Sequence, residues 1–285
     1  MLELISEHAC FGGVQRFYRH ASAAIGLPMR FSVFLPAQAG SAKVPALLYL
    51  AGLTCTEETF MAKAGAQRTA AELGLMLIAP DTSPRDAAVP GEADSWDLGL
   101  GAGFYVDATE APWSRHYRMY SYVLELRAQI LARFPVADGA FGIMGHSMGG
   151  HGALVLALRN RDLFSSVSAV APICAPTLCP WGEKAFSAYL GARSPAWQEY
   201  DASVLTADMD TPFPQGILID QGLADKFLPD QLFPDVFEAA CVTAEQPLTL
   251  NRHAGYDHGY YFISTVIEQH LKFHHHALTF KGATP

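Results

Sequence analysis

The stretch "FGIMGHSMGGHGAL", Phe141 to Leu154, passes from an apolar segment through a serine flanked by glycines into a helix-forming segment. Its centre, "GHSMG" at 145–149, fits G-x-S-x-G, a nucleophile elbow in which a sharp strand-to-helix turn holds the serine hydroxyl clear of the backbone. The glycines have a steric reason: a serine in a strained turn presses its neighbours against strand and helix, where a side chain would clash. The following helix aims its first N–H groups at the reaction zone, which makes the Met148 amide a candidate oxyanion donor. The bland alternative is a structural turn with an inert serine. A serine hydroxyl is a weak nucleophile at neutral pH, so the active reading demands a base and an orienting carboxylate elsewhere in the chain.

Nearer the start of the chain, "MRFSVFLP" (29–36) alternates with period two, and "PALLYLAG" (45–52) is the continuous apolar run of a strand buried on both faces. Further strands are predicted at 75–81, over "AFGIMGHS", within "FSSVSAVAPICAP", at 215–222 and at 247–253. Helices are predicted over "MAKAGAQRTAAELG", ending at the cap-like Gly74, over 117–134, directly after Ser147, over 230–243, and at the end of the chain. This alternation implies an α/β fold with a mostly parallel central sheet of about eight strands covered by helices on both faces. The opening β pattern suggests antiparallel pairing at one edge. No repeat or linker marks a boundary, so residues 1–285 read as a single domain with irregular, cap-like insertions near 82–115 and 176–214.

Net charge is −9 without a basic cluster, which argues against nucleic acid or an anionic membrane as partner. The opening "MLELISEHACFGG" lacks the pattern of a signal peptide, and no apolar run reaches the roughly 18 residues of a membrane span. A soluble, intracellular protein is expected. Five cysteines, Cys10, Cys55, Cys174, Cys179 and Cys241, form no C-x-x-C pair, consistent with a reducing compartment. The run "HHH" at 274–276 lies in a helical segment where adjacent side chains point apart, so no metal is expected there.

Partners for Ser147 should follow in the order serine, acid, histidine, in loops beyond strand ends. His258, in "HAGYDHGYYF" ahead of the last helix, is preferred as base over His253, at the end of a strand, and His151, on the helix after the elbow. Asp225, past the strand end in "QGLADKFLP", is preferred as acid over Asp220 inside the strand. Asp230 and Asp235 read as solvated helix positions and Asp257 as a turn former. The second oxyanion donor is expected in the loop "LAGLTCTEETF", where Gly52 permits close backbone approach to the Leu53 N–H.

Together these residues resemble the esterase D family, and within it the S-formylglutathione hydrolases. The resemblance covers nearly the whole chain and rests on "GLTCTEETF" (52–60), "APDTSPR" (79–85), "SWDLGLGAGFYVDAT" (95–109), "PWSRHYRMYSYV" (112–123), "GHSMGGHGAL" (145–154), "QGLADKFL" (221–228) and "HAGYDHGYYFI" (253–263). It implies an α/β-hydrolase fold, no cofactor, a cytoplasmic setting, and hydrolysis of S-formylglutathione to glutathione and formate in formaldehyde detoxification. It also implies side activity on short-chain carboxylesters and, in many members, a homodimer. Its triad falls on Ser147, Asp225 and His258, and its oxyanion hole on the backbone of Leu53 and Met148. Departures are Arg127, where the family pattern suggests proline at a helix start, and the loop "GEADSW" before Trp96.

A formyl group is small, so a pocket closed by bulky side chains is expected. Trp96, Phe104, Tyr105 and Trp181 are candidates, each with a plain core role as its alternative. Cys55 lies two residues from an oxyanion donor, but lacks the elbow that would make it the nucleophile. Lys226 and Arg85 could attract glutathione carboxylates, against a solvated-surface alternative. Three classes of function remain in play: the thioester hydrolase, a general short-chain carboxylesterase or acyltransferase on the same fold, and a silent fold used for binding, which an intact triad disfavours.

Overall fold

The computed structural model describes residues 2–209, 211–213 and 215–280. Among the described residues nine strands form one sheet: β1 (Leu2–Cys10), β2 (Gly13–Ala21), β3 (Pro28–Leu35), β4 (Val44–Leu50), β5 (Met76–Pro80), β6 (Val136–His146), β7 (Ser166–Val170), β8 (Ile217–Gly222) and β9 (Leu248–His253). Their spatial order is β1-β2-β3-β5-β4-β6-β7-β8-β9. The first three strands and the β3–β5 pair are antiparallel, and every pairing from β5 to β9 is parallel. The antiparallel edge suggested by the sequence is therefore a β1–β2–β3 meander. Its outermost strand escaped the hydrophobic pattern because β1 is exposed along most of its length.

Nine α-helices accompany these strands among the described residues: α1 (Thr59–Lys63), α2 (Gln67–Leu73), α3 (Met119–Arg133), α4 (Met148–Arg159), α5 (Pro180–Leu190), α6 (Pro195–Gln198), α7 (Ala202–Ala207), α8 (Pro234–Thr243) and α9 (Tyr260–Thr279). α4 packs on β4, β6 and β7 with α7 beside it, and α9 packs on the same strands and β8. Two glycines of β6 show that these helices lie on opposite faces. A Cβ on Gly145 would strike the Gly149 carbonyl on α4, whereas one on Gly142 would sit 2.9 Å from the His274 ring on α9. Residues three apart on a strand face opposite ways. Buried on both faces, the central strands are apolar throughout, as β4 and β5 show.

Three sequence expectations change in detail. The helix read over 61–74 is two short helices, interrupted where Gly65 adopts a φ of 68°, although Gly74 caps the second in the left-handed region at 67°. The helix read from 230 begins at Pro234, after one π turn at Leu228–Leu232. Arg127 starts no helix: it lies within α3, donates to the Leu163 carbonyl at 2.9 Å and stacks over Phe141 and Phe164. Among the described residues no helix is long and apolar enough to cross a membrane.

Because β4 to β9 run parallel, their carboxyl ends share one edge of the sheet. The segments that leave it begin at Ala51, Asp81, Ser147, Ala171, Leu223 and Ala254, and Ser147, Asp225, His258 and the backbone of Leu53 and Met148 gather there.

Candidate active site

Ser147 sits between β6 and α4 with φ 57° and ψ −120°, a backbone conformation costly for any residue with a Cβ. The turn is pinned on both sides: Ser147 N–H donates to the Val170 carbonyl at 3.1 Å, while its carbonyl accepts from His151 N at 3.0 Å and Ile173 N at 3.2 Å. The flanking glycines are required by close approach. A Cβ on Gly149 would collide with the Leu50 carbonyl, as one on Gly145 would with Gly149 itself. Elbow and sheet are thus one steric unit.

Ser147 Oγ lies 2.9 Å from His258 Nε2, and His258 Nδ1 lies 2.5 Å from Asp225 Oδ2. The Asp225 carboxylate is wholly buried and is held by Gln221 Nε2 at 3.3 Å and by the Phe227 N–H at 2.9 Å. The loop bearing His258 is tied to the end of β8, with Ala224 N donating to Tyr256 O and Leu223 N to His253 O, each at 2.9 Å. Asp257 accepts from Gly259 N at 2.9 Å just ahead of α9, a turn-forming use of its side chain. A hydroxyl, an imidazole and a carboxylate in this series can move a proton from Oγ to the ring while the carboxylate stabilises the charge formed.

The alternative acid and base also meet. Asp220 Oδ1 lies 2.5 Å from His253 Nε2 and accepts from Asn251 Nδ2 at 3.2 Å. His270 Nε2 approaches Asp220 Oδ2 at 2.9 Å, an ion-pair distance but off the direction of a hydrogen bond. From there a buried series runs through Ser168 to His274, whose ring nitrogens reach the hydroxyls of Ser166 and Ser168 at 2.7 and 2.8 Å. Burial alone would raise the Asp220 carboxyl, but the nearness and charge of His270, then His253, hold it below its ordinary value. The first histidine of "HHH" is therefore spoken for by two serines. His151, fully buried, donates to or accepts from no acid but meets the Phe104 carbonyl at 3.0 Å, and burial pushes its pKa down to about 4.

The loop carrying Leu53 is clamped at four points. Tyr105 OH donates to Ala51 O at 3.0 Å, Thr54 N to Gly101 O at 2.8 Å, and Cys55 O accepts from Thr82 Oγ1 at 2.6 Å and Arg85 Nη2 at 2.9 Å. Thr54 contributes its backbone in the left-handed region, φ 67°, which forms the bend. Among the described residues neither the Leu53 nor the Met148 N–H has a hydrogen-bond acceptor. Two unspent donors beside the serine are what a developing oxyanion needs.

Arg85 does not extend to solvent as a free cation. It pairs with buried Asp81 at 2.6 Å and serves the Cys55 carbonyl, a buttress hidden from sequence reading because Asp81, Arg85 and Cys55 meet only in three dimensions. Lys226 lies over the Phe227 ring at 4.9 Å. Of the pocket candidates, Trp96 is 56% exposed and Trp181 is buried. They belong to an aromatic row that leads inward: Trp96 to Trp181 at 5.8 Å, Trp181 to Phe227 at 4.6 Å, Phe227 to His258 at 5.0 Å. Phe104 is no part of that row; fully buried, it packs near His151 on α4. Tyr105 likewise turns away, its ring filling the space over Gly152. Cys55 lies 4.0 Å from the Tyr260 hydroxyl, and burial pushes its thiol up, away from the reactive thiolate.

The family model described as "Putative esterase" matches residues 22–273. An S-formylglutathione hydrolase of Rattus norvegicus is 53% identical over 275 residues, covering 96% of this chain and 97% of the relative. The solved structure of an S-formylglutathione hydrolase from Agrobacterium tumefaciens superposes with a TM-score of 0.94 at 48% identity, covering 97% of this chain and 99% of that one. A serine hydrolase of Staphylococcus aureus, FphF, shares the fold alone, with a TM-score of 0.74 at 22% identity.

Proposed function

Because the chain belongs to the S-formylglutathione hydrolases, within the esterase family, we propose that it hydrolyses S-formylglutathione to glutathione and formate with Ser147, His258 and Asp225 as its triad. The observation that carries the triad is the hydrogen-bond series from Ser147 Oγ through both nitrogens of His258 to Asp225. With Nδ1–H given to Asp225, Nε2 is bare and takes the Ser147 proton as Oγ attacks the formyl carbon. The tetrahedral oxyanion accepts from Leu53 N–H and Met148 N–H. The C–S bond then breaks, the proton passes from His258 Nε2 to the sulfur so that glutathione leaves as the thiol, and a formyl ester remains on Ser147. Water, deprotonated by His258, attacks that ester; formate leaves and the serine is restored. A thiolate is a good leaving group, so acid assistance by His258 matters less in this acylation than it would for an amide.

The row from Phe227 to Trp96 supplies the apolar wall along which the thioester enters. The cysteines are all unpaired, which agrees with a reducing, cytoplasmic setting. A homodimer, implied by the family resemblance, is checked by the mass measured in solution.

The test compares S-formylglutathione with short-chain nitrophenyl esters for the parent and for Ser147→Ala. Both activities are expected in the parent and neither in the variant. A parent that spares the thioester while cleaving esters well would make it a general carboxylesterase.

A further inference from the structure

The second position of G-x-S-x-G is left open by the pattern, and here it is His146. As the last residue of β6 it faces opposite to Gly145 and so lies on the side of the His258 loop. Its Nε2 is 3.0 Å from the backbone carbonyl oxygen of His258, and the two rings stand 4.6 Å apart. A carbonyl only accepts, so Nε2 carries the proton and Nδ1 is bare. Nδ1 is buried and unpartnered among the described residues. Facing it is Gly52 of the oxyanion loop, where a Cβ would come within 3.1 Å of Nδ1 and 3.2 Å of the Ser147 Cβ. Burial, then the nearness of His258, keeps this imidazole well below its ordinary pKa, so the ring stays neutral and adds no charge beside the base.

We propose that His146 is a positioning residue: its Nε2–H holds the His258 carbonyl while its opposite edge rests on Gly52, so one ring sets the spacing between base loop and oxyanion loop across Ser147. The proposal rests on the triad assigned above. The loop of His258 is also tied to the segment that follows β8, with Leu223 N donating to His253 O and Ala224 N to Tyr256 O, and the His258 ring is held by Asp225; His146 is the side chain that grips the His258 backbone itself. A histidine suits the place because a neutral planar ring fills a narrow gap and still presents one donor at full side-chain length. Misplacing a reacting group by about 1 Å costs on the order of 100-fold in rate.

The experiment uses the full chain with His146→Gln, whose amide nitrogen reaches about as far as Nε2, and His146→Leu, which fills space without a donor. Three quantities are read: kcat and KM on S-formylglutathione, the thermal unfolding midpoint, and the rate of covalent labelling by a fluorophosphonate. In the labelling step the Ser147 O–P bond forms, the P–F bond breaks, fluoride departs and the serine proton passes to His258, so it reads the triad without the thioester. His146→Leu is expected to lower kcat and labelling together by roughly 10- to 100-fold, with KM within about 2-fold of the parent. His146→Gln is expected to recover most of that loss. Parent-like kcat in the Leu variant overturns the proposal, as does an equal loss in Gln and Leu, which would make the ring mere packing. Should the Leu variant not fold, His146→Met takes its place in the same comparison. A parent that labels but spares the thioester overturns the substrate reading alone and leaves the labelling comparison in force.

Discussion

Two carboxylate–imidazole pairs leave the ends of β8 and β9, Asp225 with His258 and Asp220 with His253, each separated by 33 residues and each closed at 2.5 Å. Both carboxylates are wholly buried. They differ in what lies beyond the ring. His258 continues to a hydroxyl in a strained turn with two unspent N–H donors alongside. Asp220 instead faces inward to His270, Ser168, His274 and Ser166, a polar seam between the sheet and α9 whose hydroxyls sit on ordinary strand backbone. An acid–base pair becomes chemistry only at the sheet edge where a nucleophile and an oxyanion site share its reach; five residues back along each strand the same pair is an internal fastening.

Substitutions should separate the two pairs sharply. Ser147→Ala is expected to lower kcat by about 10⁶-fold with little change in unfolding midpoint, and Asp225→Asn to lower kcat by about 10⁴-fold. If Asp225→Asn stays near parental activity, the comparison is reversed. Asp220→Asn should do the opposite, keeping kcat within about 3-fold while removing on the order of 3–5 kcal/mol of stability, as for other broken buried ion pairs, read from urea unfolding. Loss of activity in a fully folded Asp220→Asn protein would join the seam to the site.

Acid should loosen the fold by a further route. Burial holds His20, His146, His151 and His274 below the ordinary histidine value of 6.5, His151 at about 4. As pH falls through about 6.5 the unfolded chain binds protons on these rings before the folded chain does, so stability declines, each ring contributing until its own folded value is reached, at about 4 for His151. The urea midpoint is therefore expected to be lower at pH 5 than at pH 7.5, and an unchanged midpoint would show these rings already protonated in the fold. The smallest effect is expected for Cys55→Ser, less than about 3-fold in kcat, since the half-buried thiol turns to the Tyr260 hydroxyl.

The parallel strands were legible because burial on both faces leaves an apolar run, and the elbow because its glycines answer a steric demand that few other residues can meet. The preference for Asp225 and His258 rested on their lying past strand ends, which is where the structure brings them to Ser147. That Asp220 and His253 would also pair was not legible: pairing depends on the lateral order of β8 and β9, which neither strand encodes by itself. β1 was missed because an exposed edge strand has no apolar face to announce it. Arg85, paired with Asp81, and Phe104, which took its core alternative, were left undecided by the sequence for a shared reason. They belong to the long segment between β5 and α3, where contacts come from loop path rather than periodicity. His146 escaped because its partner is a backbone carbonyl, which no side-chain pattern records.

The exposure of Trp96 has an optical consequence. The chain has four tryptophans, and the other three, Trp113, Trp181 and Trp197, are buried. Only the indole of Trp96 meets water, so a collisional quencher such as iodide samples that one fluorophore against a dark-to-quencher background. Trp96 stands at the outer end of the aromatic row, and a ligand settling along it would shield the indole, giving the protein a native emission signal for occupancy of its own entrance.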